Sequence, residues 1–138
     1  MKLQTAILAD YVADFGGKMM ICGTFDVIFS PNLPAVLPAG GLALRLEASH
    51  GEVGNHSITI TLRDEDGKQV GPKLEGEMNI APGRFVKNVA PTAQVALMFS
   101  GLQFARYGTY EFEVLVDGRH VGDVPLHVVQ QQSAVRAA

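Results

Sequence analysis

Short runs in which apolar and polar residues alternate, cut at close intervals by Gly and Pro, make up most of the chain. Alternation of period two is the mark of a strand with one face on a core. No window carries an apolar i, i+3, i+4, i+7 stripe longer than two turns. The pattern predicts about eight strands, near 3–13, 18–29, 41–49, 56–64, 69–80, 93–100, 108–116 and 119–129. Pro31-Asn32-Leu33-Pro34-Ala35-Val36-Leu37-Pro38 lies between the second and third. Three prolines remove three backbone donors, so the segment reads as a crossing loop.

Two hairpins follow from parity. In Ser57–Leu62 the apolar residues are even-numbered, and Val70, Leu74, Met78 and Ile80 beyond Asp66-Gly67 are even again. A two-residue turn pairs residues whose numbers sum to an odd value and would mix the faces. A three-residue loop with Gly67 in the left-handed position pairs Leu62 with Val70 and keeps one apolar face. The same arithmetic at Asp117-Gly118 sets Tyr110, Phe112 and Val114 against Leu126, Val124 and Gly122, again as a type I turn with a glycine bulge.

The first two predicted strands are apolar on both sides. Ile7 and Tyr11 oppose Ala6, Leu8 and Val12; Met19, Ile21, Phe25 and Val27 oppose Met20, Cys22 and Ile28. Strands of this kind are buried on both faces. Two covers offer themselves: loops such as 31–38, or a second subunit on the face of Leu8, Val12, Met20 and Ile28.

Composition narrows the function classes. The 138 residues fit one domain, assigned to 1–129, with a loosely ordered tail over 130–138 that has little to bury. Only 18% of residues are charged, which leaves apolar surface for a partner to cover. The net charge of −3 speaks against nucleic acid, whose binding needs a basic stripe, and against a polybasic membrane anchor. Cys22 is the one cysteine, so no internal disulfide and no cysteine-based metal site is expected. The apolar run Ala6–Ala9 is too short for a signal peptide, and no run approaches the ~20 residues of a membrane helix. A cytoplasmic home is the expectation.

Candidate chemistry is sparse. His50, Glu52 and His56 flank a short loop and could face one another as three metal ligands, but their spacing matches no established motif. His120 and His127 differ by an odd number and would point to opposite faces of a regular strand. Asp64-Glu65-Asp66-Gly67 resembles the start of a calcium loop, yet Lys73 stands where the closing acid belongs. The acidic turn is better read as serving its own backbone. Glu75 with Glu77 and Glu111 with Glu113 share strand faces, which keeps those faces wet. Cys22 sits mid-strand, and Ser100 lies beside Gly101 in an expected turn. Gly16-Gly17, Gly40-Gly41 and Gly108 read as turn glycines, and no Gly-x-Ser-x-Gly, GxGxxG or Walker pattern occurs. No catalytic, cofactor-binding or metal residue is therefore assigned, and no cofactor is expected.

Arg106-Tyr107-Gly108-Thr109-Tyr110-Glu111-Phe112 opens an alternating strand with a Tyr two residues after a Gly. It resembles the tyrosine corner of immunoglobulin-like sandwiches, which implies that the Tyr110 hydroxyl bonds back to backbone near Arg106. The Cys pair and core Trp of antibody domains are absent. With GTYEFEVLVDGRHVGDVPLHV near its end, the chain also looks like a family of small uncharacterised bacterial proteins that carries no assigned activity. The expectation is an all-β, antiparallel two-sheet sandwich of immunoglobulin-like type. Its expected role is a non-catalytic binding or assembly module that self-associates; the alternative is a small-ligand or metal-binding sandwich that uses its end loops.

Overall fold

The computed structural model describes residues 1–81 and 89–131. Among these residues nine strands are present: β1 (Lys2–Phe15), β2 (Lys18–Thr24), β3 (Val27–Ser30), β4 (Ala35–Glu47), β5 (Gly54–Arg63), β6 (Gln69–Ile80), β7 (Thr92–Phe104), β8 (Gly108–Val116) and β9 (Arg119–Gln130). A 3-10 turn, His50–Glu52, stands between β4 and β5. One sheet has the order β2-β1-β4-β7 and the other β3-β9-β8-β5-β6, so the expected two-sheet sandwich is present.

The core lies between the inner faces. Leu42, Leu44 and Leu46 of β4 meet Ile58, Ile60 and Leu62 of β5, Phe112 and Val114 of β8, and Leu126 and Val128 of β9. Each such side chain removed from water contributes about 1.5–3 kcal/mol, enough for the alternation to fix which face turns inward. Phe99 stacks on Phe112 with ring centroids 5.6 Å apart, and Phe104 meets Tyr110 edge-on at 4.9 Å.

Both hairpins pair as the parity argument requires. Leu62 faces Val70, with Gly67 at φ +79 closing the three-residue loop. Tyr110, Phe112 and Val114 face Leu126, Val124 and Gly122. The second turn is built differently from the expectation, however. Asp117 (φ 50) and Gly118 (φ 80) both take left-handed values, the signature of a two-residue type I′ turn. Its odd sum holds for Val116–Arg119 and Leu115–His120, and a bulge after Val114 restores the even register.

Other expectations need correction. The stretch 18–29 is two strands, not one: β2 stays in the first sheet and β3 crosses to the second. Phe25 N–H donates to Leu8 O at 3.0 Å and His127 N–H to Asp26 O at 2.7 Å at the crossing. There β3 pairs with β9 in parallel, so one pair of the sandwich is not antiparallel. The proline segment is only partly loop, because Ala35, Val36 and Leu37 pair with Phe104, Gln103 and Leu102. Gly40-Gly41 is inside β4, and Gly101 (φ +68) is inside β7 beside Ser100, where turns were expected. At the tail, Gln130 ends β9 and Gln131 N–H donates to Ser30 O at 2.9 Å; the rest of the expected tail, 132–138, lies outside the described residues.

The first two strands depart most from the parity reading. Leu8 enters the main core, and Ile28 and Phe25 pack against it. Val12 belongs instead to a second cluster with Ala9 and Ala43, covered by Ile7, Met19, Ile21 and Ala96. Ala9 and Val12 are an odd step apart, so β1 exchanges its faces between them, opposite Gly23 at φ +71. Beyond Ala9, β1 pairs only with β2, and this distal hairpin lies across the outside of its own sheet. Gln94 of β7 donates from Nε2 to Gly17 O at the hairpin tip. A Cβ at Gly41 would stand 2.6 Å from Val12 Cγ2 and 2.7 Å from Met98 Sδ.

Tyr110 is 4% exposed, and its hydroxyl donates to Arg106 O at 2.8 Å. Tyr110→Phe leaves that carbonyl without its partner and is expected to lower unfolding stability by about 1–3 kcal/mol in denaturant titration. An unchanged midpoint would show the bond to be dispensable. Gly41→Ala forces the hairpin off the sheet, and an overpacking loss of about 1–3 kcal/mol is expected.

Candidate functional site

Of the three candidate metal ligands, Glu52 and His56 are joined in a structural clasp, through the Glu52 carbonyl, while His50 stands on the same 3-10 turn as Glu52. β4 and β5 lie in different sheets, so the loop between them is a sheet crossing and not a hairpin. Glu52 Oε1 accepts from Ser49 N–H (2.9 Å) and Ser49 Oγ (3.1 Å), and Oε2 accepts from the Met1 amino group at 3.0 Å. The Ser49 backbone bond is the main reason its carboxyl is held below the usual range. His56 Nδ1 contacts Asp117 Oδ2 at 2.6 Å and Nε2 contacts Glu52 O at 2.6 Å. A carboxylate and a carbonyl can only accept, so both contacts are hydrogen bonds when the ring is an imidazolium, a form with no lone pair for a metal. Asp117 is the leading cause of the raised His56 pKa.

The acidic turn also serves its own backbone. Asp64 Oδ1 accepts from the N–H groups of Asp66 and Lys68, each at 2.9 Å, and Oδ2 receives Arg106 at 3.1 Å. Glu65 Oε1 accepts from Thr109 N–H at 2.7 Å. Among the described residues no buried side-chain polar atom lacks a partner.

A cluster not expected from the sequence does form. The bulge in β9 sets His120 opposite Leu115, on the outer face with Glu113 and Asp123, so His120 and His127 share a face after all. Thr109 engages His127 at 3.0 Å, while His120 Nε2 contacts Asp123 Oδ1 at 2.9 Å. Ligand atoms of Glu113, His120 and Asp123 lie within 4.8 Å of one another, and among the described residues this trio is the set that could hold a divalent ion. Two features oppose it. Glu113 Oε1 already receives Arg63 (3.1 Å) and Thr61 (3.2 Å), and Asp123 raises the pKa of His120, favouring a proton there. A shift in parity at Val121-Gly122 was the missing signal; alternation of residue types does not reveal it.

The most distinctive surface is the distal hairpin. Pairing sets Tyr11 beside Cys22, Ala13 beside Met20 and Phe15 beside Lys18 on its outer side. Tyr11, Phe15 and Met20 are 48%, 57% and 43% exposed, and Cys22 is exposed and free. The opposite side, with Val12, Met19 and Ile21, packs onto the sheet. Met98, 46% exposed, lies alongside through its contact at Gly41.

The profile of a family of unknown function, DUF6941, matches residues 4–129. Among curated proteins none matches. Among solved structures, the Pseudomonas fluorescens alkylpurine DNA glycosylase AlkC, bound to DNA containing an abasic site analog, superposes with a TM-score of 0.53 at 10% identity. The match covers 93% of this chain and 30% of that one, and it is a likeness of fold.

The clasp gives a pH dependence. With its pKa raised, His56 contributes stability below its unfolded value of 6.5 and loses it as pH rises through the folded value. Asp117, with its pKa lowered, contributes above about 3.9 and loses only in acid. Asn tolerates the left-handed φ of position 117 and retains an acceptor for Ser57 N–H. Asp117→Asn is therefore expected to lower the melting temperature at pH 6 and to matter less at pH 9. An equal loss at both would show that the charge is not what binds.

Proposed function

We propose that this chain, which belongs to the DUF6941 family of unknown function, is a non-catalytic binding and assembly module that self-associates through the outer side of its β1–β2 hairpin. The observation that carries the reading is the two-sided hairpin: Val12, Met19 and Ile21 pack inward, while Tyr11, Phe15 and Met20 face water. Aromatic and Met side chains in one exposed patch are the composition of an interface core. A closed two-fold dimer lets one patch serve both subunits.

We read the architecture as immunoglobulin-like. Supporting this are Tyr110 at the start of the next-to-last strand and the strand order, with β9-β8-β5-β6 adjacent in one sheet and β1-β4-β7 in the other. The glycosylase of similar fold is bound to DNA. A net charge of −3 and an exposed hairpin face whose one charge is Lys18 favour a protein partner over nucleic acid for this chain. No helix among the described residues is long and apolar enough to cross a membrane. A cytoplasmic home fits the one exposed, unpaired thiol.

Light scattering on a sizing column tests the assembly. The wild type is expected to form a dimer, and Phe15→Asp with Met20→Asp to weaken it at least about tenfold, the effect of one or two interface hot spots. Both side chains are exposed, so the far-ultraviolet spectrum stays that of the wild type. Leu8, which the sequence places on a face open to a second subunit, lies in the core, and Leu8→Asp would charge it. A wild type that stays monomeric at high concentration overturns the proposal.

A further inference from the structure

Each sheet ends in two edge strands, and three of the four are guarded. β6 carries Pro72, Lys73, Glu75 and Glu77; β2 is short, begins at Lys18 and bends at Gly23; β3 has four residues. These are the usual means of blocking edge-to-edge pairing. β7 is 13 residues long, and its one left-handed glycine, Gly101, stands near its C-terminal end. From Thr92 to Phe104 it contains no Asp, Glu, Lys, Arg or Pro, and it is the last strand of its sheet.

A groove runs beside this edge, between β7 of one sheet and β6 of the other. A cavity of about 670 Å³ follows the first half of β7, walled by Glu77, Ile80, Leu97 and the hairpin residues Asp14 and Gly17. A second, of about 200 Å³, follows the second half, lined by Pro72, Leu74, Phe99, Leu102 and Phe112. Val95, Leu97 and Leu102 pack against the core yet remain only half-buried, and among the described residues no strand covers them from this side. Asp14 and Glu77 both line the first cavity, and among the described residues no Lys, Arg or His lines either one.

We infer that the β7 edge and its groove bind an extended segment of a partner protein by strand addition. The segment has apolar residues at alternate positions and a basic residue where it passes Asp14 and Glu77. Its backbone completes the ladder of β7, and every second side chain enters the groove over Val95, Leu97 and Leu102. The uncharged edge leaves no charge unpaired beneath the added strand, and the two carboxylates favour the basic end. Antiparallel addition, the commoner arrangement, puts that end at the C-terminal half of the segment. This site is separate from the exposed hairpin face.

The probe is a capped peptide of alternating Val and Thr with two lysines at its C-terminal end, added to the full chain. Saturable one-to-one binding is expected, with exchange of the β7 amides that do not pair with β4 slowed at least tenfold. The same peptide with Glu for Lys is expected to bind at least tenfold more weakly, and a version with Pro at alternate positions not at all. Leu97→Arg, which charges the groove, should abolish binding. Phe15→Asp with Met20→Asp should leave it intact, which separates this site from the assembly face. The inference is overturned if the peptide protects other strands, or if no protection develops at saturating peptide. It is equally overturned if the β7 edge is already protected in dilute protein, or becomes protected with protein concentration alone.

Discussion

The close approach of Val12 to Gly41 governs how the first sheet presents itself. β4 is buried on both faces from Gly40 to Leu44, and its outward positions there are Gly41 and Ala43. With so little side-chain volume, the sheet leaves a shallow trough, and the distal hairpin of β1 and β2 lies in it. Once the hairpin is down, one of its apolar sides is spent on the chain's own sheet and the other must face outward. The tip reaches Gln94, so the same hairpin also walls the groove beside β7. One missing side chain on β4 thus shapes both surfaces for which a partner is proposed.

The second sheet is different. Its outer face carries Thr61, Arg63 and Glu113 in one network and Thr109 with His127 in another, each tied across neighbouring strands. Its ends are closed by the Asp117–His56 clasp and the Asp64–Arg106 turn. A face whose polar groups satisfy one another asks little of a partner. The contrast directs attention to the first sheet.

Most of the second sheet was legible in the sequence because its hairpins are local and its alternation is clean. The Leu62–Val70 register needed only parity and one glycine, and the Tyr110 bond needed only a Gly two residues earlier. At Asp117-Gly118 parity gave the right partners from the wrong turn, because the bulge after Val114 cancels the odd sum of a type I′ turn. That cancellation also gathers Glu113, His120 and Asp123, which no reading of a regular strand brings together. The first sheet was misread for a related reason. Alternation counts from a fixed origin, and β1 resets that origin near Asp10, opposite the left-handed Gly23. The split after Thr24 was hidden because Phe25 is apolar and continues the pattern while the chain changes sheets. Prolines misled in the other direction: Pro38 is accommodated in β4, opposite Gly101 of β7.

The parallel seam between β3 and β9 has a kinetic consequence. Hairpins β5–β6 and β8–β9 close over short turns, but Val27 must find His127 across most of the chain. Closing so long a loop is entropically costly, and contacts of this separation slow folding. The seam has only four residues on its β3 side, with Ile28 alone facing the core. The last part of the sandwich to close is thus also among its least anchored. Under heat, denaturant or a pulling force, β3 should peel from β9 first, as a local opening that precedes loss of the core.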